Sequence, residues 1–222
     1  MKTYVLNGWA ASPVAWSGCG FPFDRLYSYT EALDGEFERD LVAAPSPVFG
    51  VGWSMGGSIL LENVARRPGL FAGLLVVAAS PRMMKDDSWK GMSEMRLAAL
   101  RKGLEYSLAG VSLFPVPEPN PYMADSDENL SRGLDYLRRV DCRAALVEAS
   151  GRGEFDSLPV AIFQSRRDAV VGEHNARFLA DVFPRAELFE VDGSEHALPV
   201  VLAGQIGAAA RRMQGLLQER AT

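Results

Sequence analysis

The chain has 222 residues, 48% of them hydrophobic, which suits one well-packed domain with a small insertion. Its formal net charge of −5 offers no basic surface for nucleic acid, so a polyanionic partner is disfavoured. No segment approaches the roughly 20 apolar residues of a membrane span, and the first residues lack the apolar run of a secretory signal. Two cysteines without a C-x-x-C pair or neighbouring histidines argue against a disulfide framework and a zinc site. We therefore expect a monomeric, cytoplasmic protein that requires no metal or other cofactor.

Short apolar runs of strand length recur along the chain, as expected for parallel strands that are covered on both faces. Segments with helical spacing of apolar residues lie between them. In chain order the predicted elements are strand Thr3–Leu6, strand Arg25–Tyr29, helix Glu31–Val42, strand Val48–Val51, helix Ser58–Arg67, strand Leu74–Ala78, strand Val160–Phe163, helix His174–Val182, strand Glu187–Val191 and helix Ala203–Glu219. This alternation predicts an α/β fold, with a doubly wound, mostly parallel sheet of about six strands and helices on both faces.

The alternation stops between residues 80 and 159. This interval contains two helical stretches, Met92–Leu108 and Glu128–Arg139, on either side of the proline-rich segment SLFPVPEPNPYM, and no convincing strand. We interpret it as a helical lid inserted into a single domain that spans residues 1–222. The prolines favour a stiff connection within that lid.

A cluster of glycines follows the third predicted strand, in the segment VFGVGWSMGGSILL. It does not fit a dinucleotide fingerprint, because the third glycine comes one position late, at Gly56, and no phosphate-loop G-K-[ST] follows. Residues 52–56 instead read G-x-S-x-G, a sharp strand-to-helix turn that exposes a serine, here Ser54. Glycines at both ends of the motif would let the strand and the helix approach closely. The motif is short, so a base, an acid and an oxyanion hole must accompany it.

The candidates for the base and the acid are few. The chain has two histidines: His174 lies near the start of a predicted helix, whereas His196 follows the last predicted strand, where hydrolases with this turn carry their base. Asp168 follows the preceding strand and would accept the imidazole N–H of His196. Asp192 is the competing acid, although its Asp-Gly pair is typical of a turn. We predict a triad of Ser54, Asp168 and His196.

An oxyanion hole needs two backbone N–H groups directed at the charge that develops on the substrate oxygen. One is expected at Met55, directly after the nucleophile, and the other at Trp9, in the loop after the first strand. The Trp9 indole could equally be a core side chain. Cys19 has no base or helix N-terminus placed to form its thiolate, so we do not expect it to act as the nucleophile.

These motifs resemble those of a known family. NGW with a second tryptophan at Trp16, followed by GWSMGG, resembles the HGWG and GWSLGG pair of the pimeloyl-[acyl-carrier protein] methyl ester carboxylesterases of biotin synthesis, members of the α/β-hydrolase superfamily. LVVAASPRMMKDDSW and NLSRGLDYLRRVDCRAAL resemble the entry to and the exit from that family's lid, and DAVVG and SEHA match its acid and base motifs. The resemblance covers most of the chain and implies the same triad and the same oxyanion donors.

Departures from the superfamily pattern predict a trimmed α/β-hydrolase fold. Asn7-Gly8 replaces the usual His-Gly, YSYTEALD replaces a D-x-P-G-x-G-x-S loop, and two antiparallel strands have no room before Thr3. The lid is shorter as well. Its candidates for contact with an acidic carrier or its phosphopantetheine phosphate are Arg132, Arg138, Arg139 and Arg143. The alternative for these arginines is a solvated helix face balanced by Asp135 and Asp141.

The resemblance implies a carboxylesterase that cleaves the methyl ester of a pimeloyl group on acyl-carrier protein. A broad-specificity esterase or thioesterase for small acyl substrates is the alternative, because the same triad serves both. A non-catalytic acyl-binding module is more remote, because such proteins usually lack a triad member. The apolar candidates for an acyl pocket in the lid are Met83, Leu108, Leu113, Phe114 and Tyr122.

Overall fold

The computed structural model describes residues 1–104, 118–123 and 125–220, and its centre is a parallel sheet of six strands. The strands are β1 (Thr3–Leu6), β2 (Arg25–Tyr27), β3 (Val48–Trp53), β4 (Phe71–Val77), β5 (Val160–Ser165) and β6 (Ala186–Val191). Their order in the sheet is β2-β1-β3-β4-β5-β6, and each neighbouring pair runs parallel. The six predicted strands are confirmed. The largest difference is at β4, which begins at Phe71 rather than at Leu74.

The helices are α1 (Tyr29–Leu33), α2 (Glu36–Ala43), α3 (Met55–Arg66), α4 (Glu94–Leu104), α5 (Asp127–Arg139), α6 (Arg143–Gly151), α7 (His174–Val182), α8 (Leu198–Val201) and α9 (Ala203–Glu219). Short 3₁₀ helices occur at Pro13–Trp16 and Pro68–Leu70. The prediction of one helix at Glu31–Val42 is wrong, because Gly35 adopts a φ of 78° and separates α1 from α2. Helix α6 was not predicted; only Leu146 and Ala149 of it are buried, so its apolar spacing is weak.

Two hydrophobic cores lie on the two faces of the sheet. Successive side chains of a strand point to opposite faces, and along β4 Leu74 and Val76 belong to one core whereas Leu75 and Val77 belong to the other. Helix α3 covers the first core and helix α9 covers the second. The inner strands β1, β3, β4 and β5 are buried on both faces and are largely apolar, as the doubly wound fold requires. The edge strands β2 and β6 are partly exposed and carry charged residues.

The described part of residues 80–159 contributes α4, α5 and α6. Helices α4 and α5 pack against each other and α5 also packs against α1, whereas α6 packs against α3 and α7 in the layer next to the sheet. The assignment of the whole interval to a lid remains a prediction. Among the described residues, no helix is both long enough and apolar enough to cross a bilayer.

The segment YSYTEALD, residues 27–34, contains all of α1 and contacts the residues just before α5. Ser28 caps α1, because its side chain accepts from the Glu31 N–H while the Glu31 carboxylate accepts from the Ser28 N–H. The Tyr29 hydroxyl donates to Asp125 Oδ2, just before α5, at 2.5 Å. The replacement segment therefore contacts the predicted lid instead of forming a glycine-rich loop.

The packing of α3 against β1 predicts a strong asymmetry between two helical glycines. A Cβ on Gly56 would lie 2.4 Å from Leu6 O, whereas a Cβ on Gly215 in α9 would meet nothing within 4 Å. We expect Gly56→Ala to lower the free energy of unfolding by about 3 kcal/mol or more, since backbone atoms cannot move aside. Gly215→Ala should raise it by about 0.5–1 kcal/mol, because alanine favours the helix. Urea unfolding measures both; similar effects of the two substitutions would contradict the close approach.

Candidate active site

Ser54 lies between the last residue of β3 and the first residue of α3, with φ 54° and ψ −122°. A positive φ costs a residue that carries a Cβ on the order of 1–3 kcal/mol, so the surroundings must impose it. The Ser54 N–H donates to Val77 O of β4 at 2.9 Å. A Cβ on Gly52 would lie 2.6 Å from Gly57 Cα, which shows how closely the strand and the helix approach. The predicted strand–turn–helix geometry of the G-x-S-x-G motif is present.

A continuous chain of hydrogen bonds joins the three residues that were predicted as a triad. Ser54 Oγ lies 2.8 Å from His196 Nε2, and His196 Nδ1 lies 2.8 Å from Asp168 Oδ2. Asp168 Oδ1 accepts from the backbone N–H groups of Val170 and Val171 at 2.8 and 3.1 Å. A carboxylate at Nδ1 favours the tautomer that carries its proton there, so Nε2 can accept the proton of the serine hydroxyl. This is the arrangement that activates a serine nucleophile.

The competing residues lie in other surroundings. The His174 ring packs against Trp89 with centroids 4.9 Å apart, and burial lowers the pKa of His174. Asp192 is exposed and pairs with Arg166 at 3.1 Å. Cys19 Sγ donates to Pro199 O, and burial raises the pKa of the Cys19 thiol to about 11, which keeps it protonated at neutral pH.

Trp53 positions His196, a role that the sequence did not predict. Its buried indole Nε1 donates to His196 O at 2.9 Å, and its ring packs against the His196 ring with centroids 5.9 Å apart. The alternation of side chains along β3 offers the only sequence signal, because it places Trp53 on the same face of the sheet as Val51, two positions earlier. The hydrogen-bond partner lies 143 positions away in the sequence.

Asn7 organises the loop after β1. Asn7 Oδ1 accepts from Trp16 Nε1 and from the Gly8 N–H, both at 3.2 Å, and Asn7 Nδ2 donates to Ala11 O at 3.0 Å. All three bonds are buried, so they hold the loop firmly. The asparagine that replaces the usual histidine therefore has a structural partner in the second tryptophan of the motif.

The predicted oxyanion donors lie on the two segments that flank Ser54. Met55 is the first residue of α3, where backbone N–H groups lack intrahelical acceptors and the helix dipole favours negative charge. A Cβ on Gly8 would lie 3.3 Å from Ser54 Cβ, so the loop that carries Trp9 lies against Ser54. Within the described ranges, neither the Trp9 nor the Met55 backbone N–H donates to a protein acceptor. The Trp9 indole donates to Leu130 O of α5 at 3.0 Å, so it connects this loop to α5.

A small apolar cavity of about 50 Å³ lies beside Ser54 and His196. A single water needs about 10–15 Å³ measured in this way, so the cavity admits a small group. Its apolar lining consists of Met83, Met92, Leu100, Leu134, Leu137 and Val170, and Gly8, Trp9, Trp53 and Tyr122 complete it. Of the predicted acyl-pocket residues, Met83 and Tyr122 line the cavity, and Leu108, Leu113 and Phe114 lie outside the described residues. Across the described ranges, no group of three or more His, Cys, Asp or Glu side chains is arranged to hold a metal ion.

The four candidate arginines do not line this cavity. Arg132, Arg138 and Arg139 border a larger, open groove of about 410 Å³, together with Leu33 and Asp135. Arg143 lies apart from that groove; it pairs with Asp86 at 2.7 Å and with Asp141 at 2.9 Å, and its guanidinium stacks on Trp89. The structure thus brings three of the four arginines together.

Acidic side chains compensate most of these arginines. Arg132 pairs with Asp34, and Arg138 pairs with Glu94 at 3.2 Å. Arg139 forms no ion pair with any residue that the structure describes; its Nε donates to the Asp135 backbone oxygen at 3.1 Å. The Asp135 carboxylate pairs with Arg101 instead. Balance by Asp141 therefore holds for Arg143, whereas the Asp135 carboxylate does not pair with Arg139.

Known proteins share this sequence pattern and this fold. The sequence model described as "Alpha/beta hydrolase family" matches residues 7–205. The chain belongs to the α/β-hydrolase family. Similar curated proteins include the pimeloyl-[acyl-carrier protein] methyl ester esterase of Chromobacterium violaceum, 31% identical over 74% of this chain and 70% of that protein. The protein of the same name from Klebsiella pneumoniae subsp. pneumoniae is 28% identical over 75% of this chain and 69% of that protein.

Solved structures of other enzymes superimpose on most of this chain. An esterase from Exiguobacterium antarcticum has a TM-score of 0.71 at 17% identity and covers 100% of this chain and 92% of its own. The enol-lactonase from Burkholderia xenovorans has a TM-score of 0.67 at 17% identity, with 96% and 91% coverage. At such identities these likenesses show the fold alone. The resemblance and the trimmed α/β-hydrolase fold predicted from the sequence are confirmed.

The hydrogen bonds to His196 predict which aspartate supports it. We expect Asp168→Asn to lower kcat for a small ester by about 10⁴-fold, because the amide favours the wrong imidazole tautomer. Asp192→Asn is the matched control and should leave kcat unchanged, since Asp192 contacts Arg166 at the surface. Steady-state kinetics of the two variants measures this. An equal effect of both substitutions would rule out Asp168 as the specific partner of His196.

Proposed function

We propose that this α/β hydrolase is a serine carboxylesterase in which Ser54, Asp168 and His196 are the triad. The hydrogen-bond chain from Ser54 Oγ through His196 to Asp168, with both links at 2.8 Å, carries this proposal. The buried carboxylate, the strained turn at Ser54 and the positions of the Trp9 and Met55 N–H groups support it. The presence of all three residues in this chain of hydrogen bonds also argues against a non-catalytic acyl-binding module.

The proposed mechanism has two halves. Ser54 Oγ attacks the ester carbonyl while His196 Nε2 takes its proton, and the oxyanion of the tetrahedral intermediate accepts from the Trp9 and Met55 N–H groups. His196 returns the proton to the departing alcohol. In the second half His196 takes a proton from a water molecule as that water attacks the acyl-enzyme. His196 then returns the proton to Ser54 Oγ as the bond between Oγ and the acyl carbon breaks, which releases the acid and restores the serine hydroxyl.

We infer that the substrate is the methyl ester of a pimeloyl group on acyl-carrier protein, which places the enzyme in biotin synthesis. The names of the curated relatives support this substrate. The small apolar cavity beside Ser54 also supports it, because a methyl ester on an aliphatic chain has little volume and no charge near the scissile bond. A broad-specificity esterase or thioesterase for small acyl groups is the second candidate, favoured by the absence of charged side chains from the described cavity lining outside the triad.

The proposed carrier contact is the outer face of α5. Leu134 and Leu137 of this helix line the cavity, while Arg138 and Arg139 point to the open groove on its other side. An acidic carrier bound there would lie close to the cavity, separated from it by one helix. Arg139 has no ion pair among the residues that the structure describes, and its charge therefore favours such a partner.

A cytoplasmic monomer remains our expectation for the protein in the cell. Cys19 and Cys142 are both free and buried. Free thiols are typical of proteins in a reducing compartment, which supports the cytoplasmic assignment.

The identity of the nucleophile can be tested directly. We expect Ser54→Ala to lower kcat for a short p-nitrophenyl ester by several orders of magnitude, about 10⁶-fold if it behaves like other catalytic triads. The same substitution should abolish labelling by a fluorophosphonate probe. Cys19→Ala is the control and should retain activity and labelling. Turnover retained by Ser54→Ala, or activity lost in Cys19→Ala with the fold intact, would overturn the assignment.

Charge reversal tests the carrier contact. We expect Arg138→Glu with Arg139→Glu to raise KM for the carrier-bound ester but not for a small free methyl ester, because charges at the rim act mainly on encounter and binding. The effect should fade in salt, since the screening length shrinks from about 10 Å at 0.1 M to about 3 Å at 1 M. Arg212→Glu on α9, across the sheet, is the control. An unchanged KM for the carrier-bound ester at low salt would place the carrier elsewhere.

A further inference from the structure

The phenol of Tyr122 has no hydrogen-bond partner in the described structure, although its oxygen is buried. Buried hydroxyls are nearly always hydrogen-bonded, because they lose water without compensation otherwise. Four other buried side-chain atoms of the described residues are also unpartnered, but none of them belongs to a residue that lines the cavity at Ser54. The unmet donor therefore lies at the proposed catalytic site.

The other polar side chains in the cavity lining already use their hydrogen-bonding groups. The Trp9 indole donates to Leu130 O, the Trp53 indole donates to His196 O, and Ser54 bonds to His196. The remaining described lining is glycine and apolar side chains. Tyr122 is thus the side chain in this lining whose donor is still available for a ligand.

The backbone on either side holds Tyr122 in place. The Ser12 N–H donates to Pro121 O at 2.7 Å, and the Met123 N–H donates to Ala10 O at 2.9 Å, so the segment pairs with the proposed oxyanion loop. The Tyr122 ring packs against Trp53 with centroids 6.0 Å apart, and the same indole packs against the His196 ring with centroids 5.9 Å apart. A side chain fixed in this way is preorganised for binding.

Electrostatics keeps this phenol a donor. Burial, and after it the charge of Asp168, raises the pKa of Tyr122 to about 12, so the hydroxyl stays protonated at neutral pH. In the proposed mechanism the carbonyl oxygen of the ester faces the Trp9 and Met55 N–H groups, and His196 hands its proton to the leaving alcohol. The alkoxy oxygen is therefore the oxygen of the scissile bond that has no backbone donor in that mechanism and is left as the acceptor for this phenol.

We propose that Tyr122 Oη donates a hydrogen bond to the alkoxy oxygen of the scissile ester and thereby makes the site selective for oxygen esters over thioesters. The proposal rests on the carboxylesterase function proposed above. The phenol keeps its proton throughout; the proton that leaves with the alcohol comes from His196. A thioester presents sulfur, a weak acceptor, at the same position and would leave the buried phenol unsatisfied.

This selectivity matters for a carrier-bound substrate. Acyl groups are linked to acyl carriers as thioesters, so a carrier-bound acyl methyl ester contains two carbonyls that a serine hydrolase could attack. Cleavage at the thioester would release the chain from its carrier prematurely. A donor that recognises the alkoxy oxygen directs Ser54 to the methyl ester end.

Tyr122→Phe tests the proposal, because it removes only the hydroxyl. The substrates are a methyl ester and the S-methyl thioester of the same short acyl group. We expect kcat/KM for the methyl ester to fall about 10- to 100-fold, as for the loss of a hydrogen bond that a site was built to make. The value for the thioester should remain unchanged, so that the preference for the oxygen ester falls by the same factor. For the p-nitrophenyl ester kcat/KM should fall less than for the methyl ester, since its leaving group departs without a proton.

Thermal unfolding separates this effect from a structural role. Removal of an unpartnered hydroxyl should leave Tm equal or higher, so a loss of activity cannot come from unfolding. Tyr136→Phe is the matched control, because the Tyr136 hydroxyl bonds to Glu62 and does not line the cavity. It should leave the ratio of ester to thioester hydrolysis unchanged. Equal losses on ester and thioester in Tyr122→Phe, or no loss on either, would overturn the proposal.

Failure of this inference differs from failure of the proposed function. If Tyr122→Phe hydrolyses both substrates like the unaltered enzyme while the fluorophosphonate still labels Ser54, only the role of Tyr122 is refuted. If Ser54→Ala retains hydrolysis, the carboxylesterase mechanism itself fails.

Discussion

Ser54 is held at a φ of 54° because helix α3 begins almost in contact with the ends of β1 and β3. The space that a Cβ on Gly56 would need is occupied by Leu6 O, the last carbonyl of β1. The same approach therefore sets three features at once: the position of the serine hydroxyl, the Met55 N–H at the helix N-terminus, and the loop that starts at Asn7 directly beside them. The strained backbone of Ser54 and both proposed oxyanion donors follow from one close contact between a helix and a strand.

The loop after β1 is also where the sheet meets the predicted lid. Backbone bonds join Ser12 and Ala10 to the segment around Tyr122, and the Trp9 indole bonds to α5. Because these contacts involve Trp9 itself and the residues that follow it, the position of α5 and the geometry of the proposed oxyanion hole are not independent. A substrate that shifts α5 would also act on the loop that carries the proposed Trp9 donor, which offers a physical route by which a carrier could influence the chemistry.

The features that the sequence predicted depend on patterns of neighbouring residues along the chain. Most of those that it missed depend on contacts between residues far apart in the sequence. The strands follow from continuous apolar runs. Ser54, Asp168 and His196 follow β3, β5 and β6, so their contact could be anticipated from these positions. The bond from Trp53 to His196 spans 143 positions, and no periodicity reveals it. The sequence also gives no sign that the Tyr122 phenol lacks a hydrogen-bond partner among the described residues, since only the folded chain shows this. Helix α6 was missed because its buried residues are too few to produce a period.

The ion pairs on α5 do not exclude this face as a docking surface. Exposed pairs such as Arg138 with Glu94 contribute only about 0–1 kcal/mol each, so a partner's carboxylate can replace the internal one at little cost. After such an exchange each arginine is paired with a carboxylate of the partner, and the acidic side chain that it paired with before can turn toward solvent. Arg139 needs no such exchange, because it has no ion pair within the described residues to give up. The groove thus presents Arg139, which has no ion pair among the described residues, and other arginines whose internal ion pairs a partner's carboxylates can replace. Helix α5 places these arginines on the opposite side from the leucines that line the cavity.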